Sequence, residues 1–268
     1  MRVLLFLALF TAFLPAKDPR LEGPGLAIKL ISENRSVTAG QPFTVGLHIH
    51  HYPGFHTYWK NPGIVGMVTS LEWTLPEGFT ASEIQWPYPE NTFMGEYPCH
   101  GYERDVTLLV TITPPREIPA KEITLKTNAM WMACAKGCFP GYETFSISLP
   151  VTREALADAT AKAHIAKAAS EMPSTKHHVK ATLLSKVDAP RIKIHFKSKK
   201  RLPSKDLYFF SNDRQISSDK PQKFETQKDG SIILTVPRSE FSPEGENSIE
   251  GVLKAGKKHL TLKATSST

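Results

Sequence analysis

The run Trp131-Met132-Ala133-Cys134-Ala135-Lys136-Gly137-Cys138-Phe139-Pro140-Gly141 puts two of the three cysteines four positions apart, at the end of a strand-like segment. A bond between them closes a ring of about five residues. By chain entropy such a ring stabilises a fold by roughly 2 kcal/mol, against roughly 3 for a fifteen-residue loop. As a staple it is poorly placed. As a reversible dithiol/disulfide it is well placed, because one sulfur reaches the other without the backbone unfolding. Lys136, between the two, favours a thiolate over a thiol. An inert short disulfide and a metal site are the other readings of the same pair. Cys99 is left over, as a partly buried free thiol, a partner for intermolecular pairing or a weak metal ligand.

The ends and the composition set the setting. Met1-Arg2, an apolar run from Val3 to Leu14 and then Pro15-Ala16 read as an export signal over residues 1–16. The run is too short to span a bilayer, and no second apolar stretch approaches that length, so a soluble mature chain is expected. The 21 Pro and 16 Gly among short Val/Ile/Leu/Phe/Thr runs point to strands with frequent turns. The formal charge of +7 is concentrated late, as in Lys197 to Arg201. Stacking aromatics do not interleave with those basic residues, so a nucleic-acid surface is not expected.

Alternation supplies the elements. Gln41 to His51 carries Phe43, Val45, Leu47 and Ile49 on one face, with Thr44, His48 and His50 on the other. Asp105–Thr113, Glu122–Met132 and Thr144–Val151 repeat the pattern, and shorter strands fit Leu26–Ile31, Ser70–Leu75 and Ser82–Trp86. Seven such strands predict an antiparallel sandwich of immunoglobulin type over residues 22–151. Residues 152–173 are rich in Ala, Lys and Glu and predict a helical linker with Thr152 as N-cap. Six further strand-like runs predict a second, smaller β-domain, sandwich-like, over residues 176–265. The fold class is therefore all-β, two units joined by a short helix.

An ordered set of segments resembles a known family. It comprises Pro53 to Gly63, Leu71 to Phe79, Ile84 to Pro89, Gly101-Tyr102-Glu103 and Trp131 to Gly141. From about Leu26 to Val151 the chain resembles the periplasmic N-terminal domain of the DsbD/ScsB family of thiol:disulfide interchange proteins. Tyr208-Phe209-Phe210 and Ile249 to Leu253 resemble the region that follows in the ScsB-type branch. The resemblance implies an immunoglobulin-like domain whose cysteine pair, Cys134 and Cys138 here, relays electrons. They come from a membrane-embedded thiol reductase and go to periplasmic thioredoxin-like or isomerase clients. It implies a periplasmic location in a Gram-negative-type envelope. It also implies that Phe93, in a loop Asn91–Gly95, caps the disulfide, and that Tyr58 packs beside the pair. Trp131 is a further packing candidate. Asn91 and Thr92 stand where the best-studied branch has acidic residues, and that branch spaces its cysteines more widely.

Other constellations compete. His48 and His50 form an H-x-H pair suited to copper or zinc, beside His51 and His56. Met94, Met130, Met132, Cys134 and Cys138 are soft donors suited to Cu(I), which makes a periplasmic copper-binding or chaperone module the alternative function. A structural adaptor with an inert disulfide is the third. In the first reading the sulfurs carry the electrons, so no organic cofactor and no metal is expected.

Overall fold

The computed structural model describes residues 21–186, 189–203, 205–243 and 248–266. The expected export segment, 1–16, lies outside the described residues. The strands of the first part are β1 (Leu21–Gly23), β2 (Leu26–Ser32), β3 (Phe43–His51), β4 (Thr57–Gly63), β5 (Ser70–Thr74), β6 (Thr80–Ala81), β7 (Glu90–Met94), β8 (Tyr97–Tyr102), β9 (Val106–Thr113), β10 (Glu122–Cys134) and β11 (Cys138–Pro150). A five-stranded sheet, β1-β2-β3-β9-β6, faces a three-stranded sheet, β11-β10-β5. Alternation drives this pairing. Leu47, Ile49 and Leu108 from one sheet meet Ala129, Trp131 and Phe145 from the other in one buried cluster. The immunoglobulin-like sandwich is therefore present. A third sheet, β4-β8-β7, closes one end of it.

The helix α1 (Ala159–Ser170) begins later than the sequence predicts. Thr152 is not its cap. The Thr152 hydroxyl donates to Ser36 Oγ and to the Glu154 carbonyl, while Val151 still bridges Val37. Asp158 is the N-cap, accepting from the Ala161 N–H at 2.9 Å. Nor is α1 a free linker. Ala161, Ile165 and Ala168 bury their shared face against Ile31 and Leu109, on the outside of the five-stranded sheet. The histidine expectation changes with it. His48, expected to face solvent, lies under this helix with its ring 4.0 Å from that of His164.

Two other expectations shift. Ser82 to Trp86 is not a strand; only Gln85 forms a bridge there, with Leu109. Asn91 to Gly95 is not a loop. It is β7 and its turn, since Met94 pairs with Tyr97 around Gly95 at φ +61. Glycine takes that left-handed conformation without a Cβ clash, which permits a two-residue hairpin.

The second part holds β12 (Val179–Leu183), β13 (Arg191–Ser198), β14 (Leu207–Ser211), β15 (Lys223–Thr226), β16 (Ile232–Pro237), β17 (Ser248–Ala255) and β18 (Lys258–Ser266). They form one sheet, β14-β17-β18-β12-β13-β16-β15, with β12 and β18 parallel. Phe209 of β14 and Leu234 of β16, near opposite ends of that order, share one buried cluster. The sheet therefore curls around its own core. Among the described residues no helix is long and apolar enough to cross a membrane.

Replacing the cap tests the helix start. Asp158→Ala should cost about 1 kcal/mol and lower Tm by roughly 2–4 °C. An unchanged Tm by calorimetry would show that packing alone sets where α1 begins.

Candidate functional site

Odd positions of β10, from Ile123 to Ala133, point into the sandwich, and Trp131 among them is 5% exposed. Gly141 lies opposite Trp131, and a Cβ there would stand 2.2 Å from the indole Cε2. Trp131 is thus a core aromatic on the face away from Cys134. Even positions point the other way, and Cys134 is the last of them.

Cys134 and Cys138 are cross-strand partners at the tip of the β10–β11 hairpin, joined by a disulfide with Cα atoms 4.2 Å apart. The turn is Ala135-Lys136-Gly137, with the Ala135 N–H donating to the Gly137 carbonyl. The two sulfur-bearing residues differ sharply. Cys134 is fully buried and Cys138 is exposed. Burial of Cys134 comes from β4. His56, just before it, exchanges two backbone hydrogen bonds of 2.9 Å with Cys134. Two residues on, Tyr58 is also fully buried and joins Cys134 and Cys99 in one cluster, with Val65, Met94 and Met132 against it. The Tyr58 ring lies where Gly66 leaves space, and its hydroxyl has no partner among the described residues. Burial pushes the Tyr58 phenol well above its usual range.

Cys99, for which a partly buried free thiol is one expectation, is free and fully buried. Strand β8 brings it behind the disulfide, with its sulfur 3.1 Å from Thr92 Oγ1 and 3.8 Å from His56 Nε2. Burial raises its thiol pKa, so it is held as a neutral thiol. The signal in sequence was faint. Gly101, two residues on in β8, pairs with Tyr58, and a Cβ there would stand 2.1 Å from the Thr57 carbonyl oxygen, so glycine is what lets the two strands approach this closely. Burial also lowers His56 to about 4, which keeps it uncharged near neutrality.

The soft-donor set separates. Met94 and Met132 pack on the cysteine cluster, but Met130 stands 40% exposed across from Tyr142. The histidine set separates too. His50 pairs with Asp105 at the surface, while His51 donates from Nδ1 to the Arg104 carbonyl and accepts from Thr57 at Nε2. Among the described residues no group of three or more His, Cys, Asp or Glu is disposed to hold a metal. Phe93 stands at the β7–β8 tip, 58% exposed, and is not among the side chains packed on the Cys134 cluster. Phe139 and Tyr97 are also exposed near the two hairpin tips, and Phe139 has Phe55 beside it, ring centroids 6.0 Å apart.

The second sheet braces this site from behind. Ser218 Oγ accepts from the Ile64 N–H at 3.0 Å and donates to the Pro98 carbonyl at 3.2 Å. Asn61 donates to the carbonyls of Ser211 and Asp213. His100 donates from Nδ1 to the Asn61 carbonyl and accepts at Nε2 from the Tyr208 hydroxyl at 2.9 Å. Burial holds His100 near 4, consistent with that neutral tautomer.

Residues 29–150 match the family model described as Thiol:disulfide interchange protein DsbD, N-terminal. The N-terminal periplasmic domain of ScsB from Proteus mirabilis has a similar fold, with a TM-score of 0.68 at 13% identity. The match covers 93% of this chain and 97% of that one. An endo-fucoidan hydrolase of glycoside hydrolase family 107 gives a TM-score of 0.23 at 14% identity over 91% of this chain and 29% of that one, which carries no argument. No curated protein sequence matches the chain.

Two measurements check the site. Iodoacetamide at neutral pH should leave Cys99 unlabelled in the folded, oxidised protein and modify it on unfolding; labelling of native protein would place the thiol outside the core. Acid should destabilise the fold. His48, His51, His56, His100 and His259 are all lowered from 6.5 to about 4, each chiefly by burial. As pH falls below about 6.5 the unfolded chain takes up protons that the folded chain refuses. Their stabilisation is thus complete above 6.5 and lost progressively toward 4. Tm at pH 4.5 should lie on the order of 10 °C or more below that at pH 7.5; a flat profile would show these histidines to be hydrated.

Proposed function

We propose, on the premise that residues 29–150 belong to the DsbD N-terminal family, that this chain is a periplasmic thiol-disulfide relay acting through Cys134 and Cys138. It accepts electrons from a membrane-embedded thiol reductase and passes them to thioredoxin-like or isomerase clients. The redox unit spans 22–151, and the second sheet supports it. One observation carries the reading: within a single disulfide, Cys138 is exposed and Cys134 is fully buried.

That asymmetry supports a division of roles. In the reduced protein the Cys138 thiolate attacks a client disulfide, forming a Cys138–client bond and releasing one client thiolate. Cys134 then attacks Cys138 Sγ, and the second client sulfur leaves. Two electrons pass to the client and the Cys134–Cys138 bond forms. The exposed aromatic Phe139, next in the chain to Cys138, offers apolar contact beside the reactive sulfur. Phe93 serves as a movable cover on the β7–β8 hairpin, standing clear of the pair in the present arrangement. Tyr58 roofs Cys134 and keeps small thiols from it. Trp131 fixes the hairpin from the core side.

The experiment is a non-reducing gel of single variants expressed in the periplasm. Cys134→Ala should accumulate a mixed disulfide through Cys138, because the resolving thiol is gone. Cys138→Ala should not. Adducts only with Cys138→Ala would reverse the roles, and none with either folded variant would sink the relay. The cover has its own test. Phe93→Ala should change stability by less than about 0.5 kcal/mol, yet speed reduction of the pair by glutathione in stopped flow. Equal rates would show that Phe93 shields nothing.

A further inference from the structure

We propose that a basic groove at one end of the second sheet binds anionic phospholipid headgroups and seats the chain on a membrane surface. The groove encloses about 750 Å³. It lies where the segment after α1, the end of β13 and the β17–β18 turn converge. Lys176, Lys200, Arg201, Lys257 and Lys258 line it, and no Asp or Glu does.

The charge there is unbalanced by design of the neighbourhood. Some lysines elsewhere in the same unit do have carboxylate partners, as in Lys254 with Asp206, Lys220 with Asp219 and Lys223 with Glu225. Among the described residues, none of the five groove cations forms an ion pair. Five like charges brought together repel one another, and a bound anion relieves that repulsion. The positive field does not depend on histidine. Burial lowers His259, in the lining, to about 4, so it adds no charge near neutrality. The field therefore persists at neutral pH.

Two features select the ligand. The floor is apolar, with Met172, Val179, Leu202 and Leu260. That suits the glycerol and first methylenes beneath a phosphate, whereas a run of carboxylates alone would leave the apolar lining uncovered. Tyr88 in the lining is stacked on His259 at 3.7 Å and has the Arg104 guanidinium 4.4 Å from its ring centroid, so both faces are taken and neither is open to a nucleic-acid base. Clusters of four to eight Lys/Arg at a bilayer each contribute about a few-fold in partitioning, which makes five sufficient for reversible attachment.

Vesicle flotation of the full chain tests this. The probes are vesicles of phosphatidylglycerol mixed with phosphatidylcholine, and vesicles of phosphatidylcholine alone, at low and high salt. The protein should float with the anionic vesicles at low salt, release at high salt, and ignore the neutral ones. The triple variant Lys200→Glu/Arg201→Glu/Lys257→Glu, all at exposed positions, should lose at least tenfold in partitioning. A control triple, Arg116→Glu/Lys121→Glu/Lys126→Glu, removes the same charge from the first unit and should stay within about twofold of wild type. Equal losses in the two triples would reduce the effect to net charge and overturn the site. So would binding to neutral vesicles. Binding of inorganic phosphate or polyglutamate at the groove, with no flotation, would overturn the lipid assignment. Reduction of the Cys134–Cys138 bond by dithiothreitol should be the same in all three proteins, so failure here leaves the redox reading untouched.

Discussion

The reciprocal backbone hydrogen bonds between His56 and Cys134 hold the site together. They are the point where the sandwich hairpin meets the end sheet. Without them the tip of β10 and β11 would extend past the sandwich as a bare two-stranded ribbon, which is marginal in water. With them, Cys134 gains the walls of Tyr58 and Met132, and one sulfur of the pair is removed from solvent. The other sulfur stays outside because it sits one residue past the turn, on the edge strand. The chemical inequality of the two cysteines thus follows from how one strand is anchored.

The anchor is itself supported. Strand β4 turns Tyr58 towards the cysteine cluster and Trp59 towards the sandwich core, and beyond a bulge its last residue, Gly63, pairs with Cys99. Ser218 and Asn61 tie that bulge to the second sheet, and His100 ties β8 to Tyr208. These contacts are mostly neutral hydrogen bonds within buried surroundings, where an unmade bond is costly. They fix the angle between the cysteine cluster and the second unit more firmly than exposed ion pairs would.

Much of this was legible in the chain. Strands β2, β3, β5, β9 and β10 follow from period-two alternation, and their limits match closely. The even positions of β10 placed Met132 with Cys134. What was missed has common causes. Strands β4, β7 and β8 contain Pro, Gly, Asn and His at positions that blur alternation, because they form an end sheet whose neighbours are not simply core and solvent. Thr152 has the chemistry of a cap, but Ser36 competes for its hydroxyl. His48 looked exposed because alternation cannot tell solvent from a covering helix. Cys99 joins the site through the pairing of β8 with β4 and β7, a long-range feature that its own neighbourhood in sequence signals only through Gly101.

Strand β10 builds the sandwich core with its odd residues and the cysteine cluster with its even ones. This gives the segment an unusual tolerance map for change in chain length. One residue added or removed between Glu122 and Cys134 would send Trp131 outward and Cys134 into the core, ruining both at once. A residue added within Ala135-Lys136-Gly137 disturbs neither register, since it lengthens only the turn. Variation in cysteine spacing among descendants of such a fold is therefore confined to the tip, where evolution or a designer is free to reset the ring without rebuilding the protein beneath it.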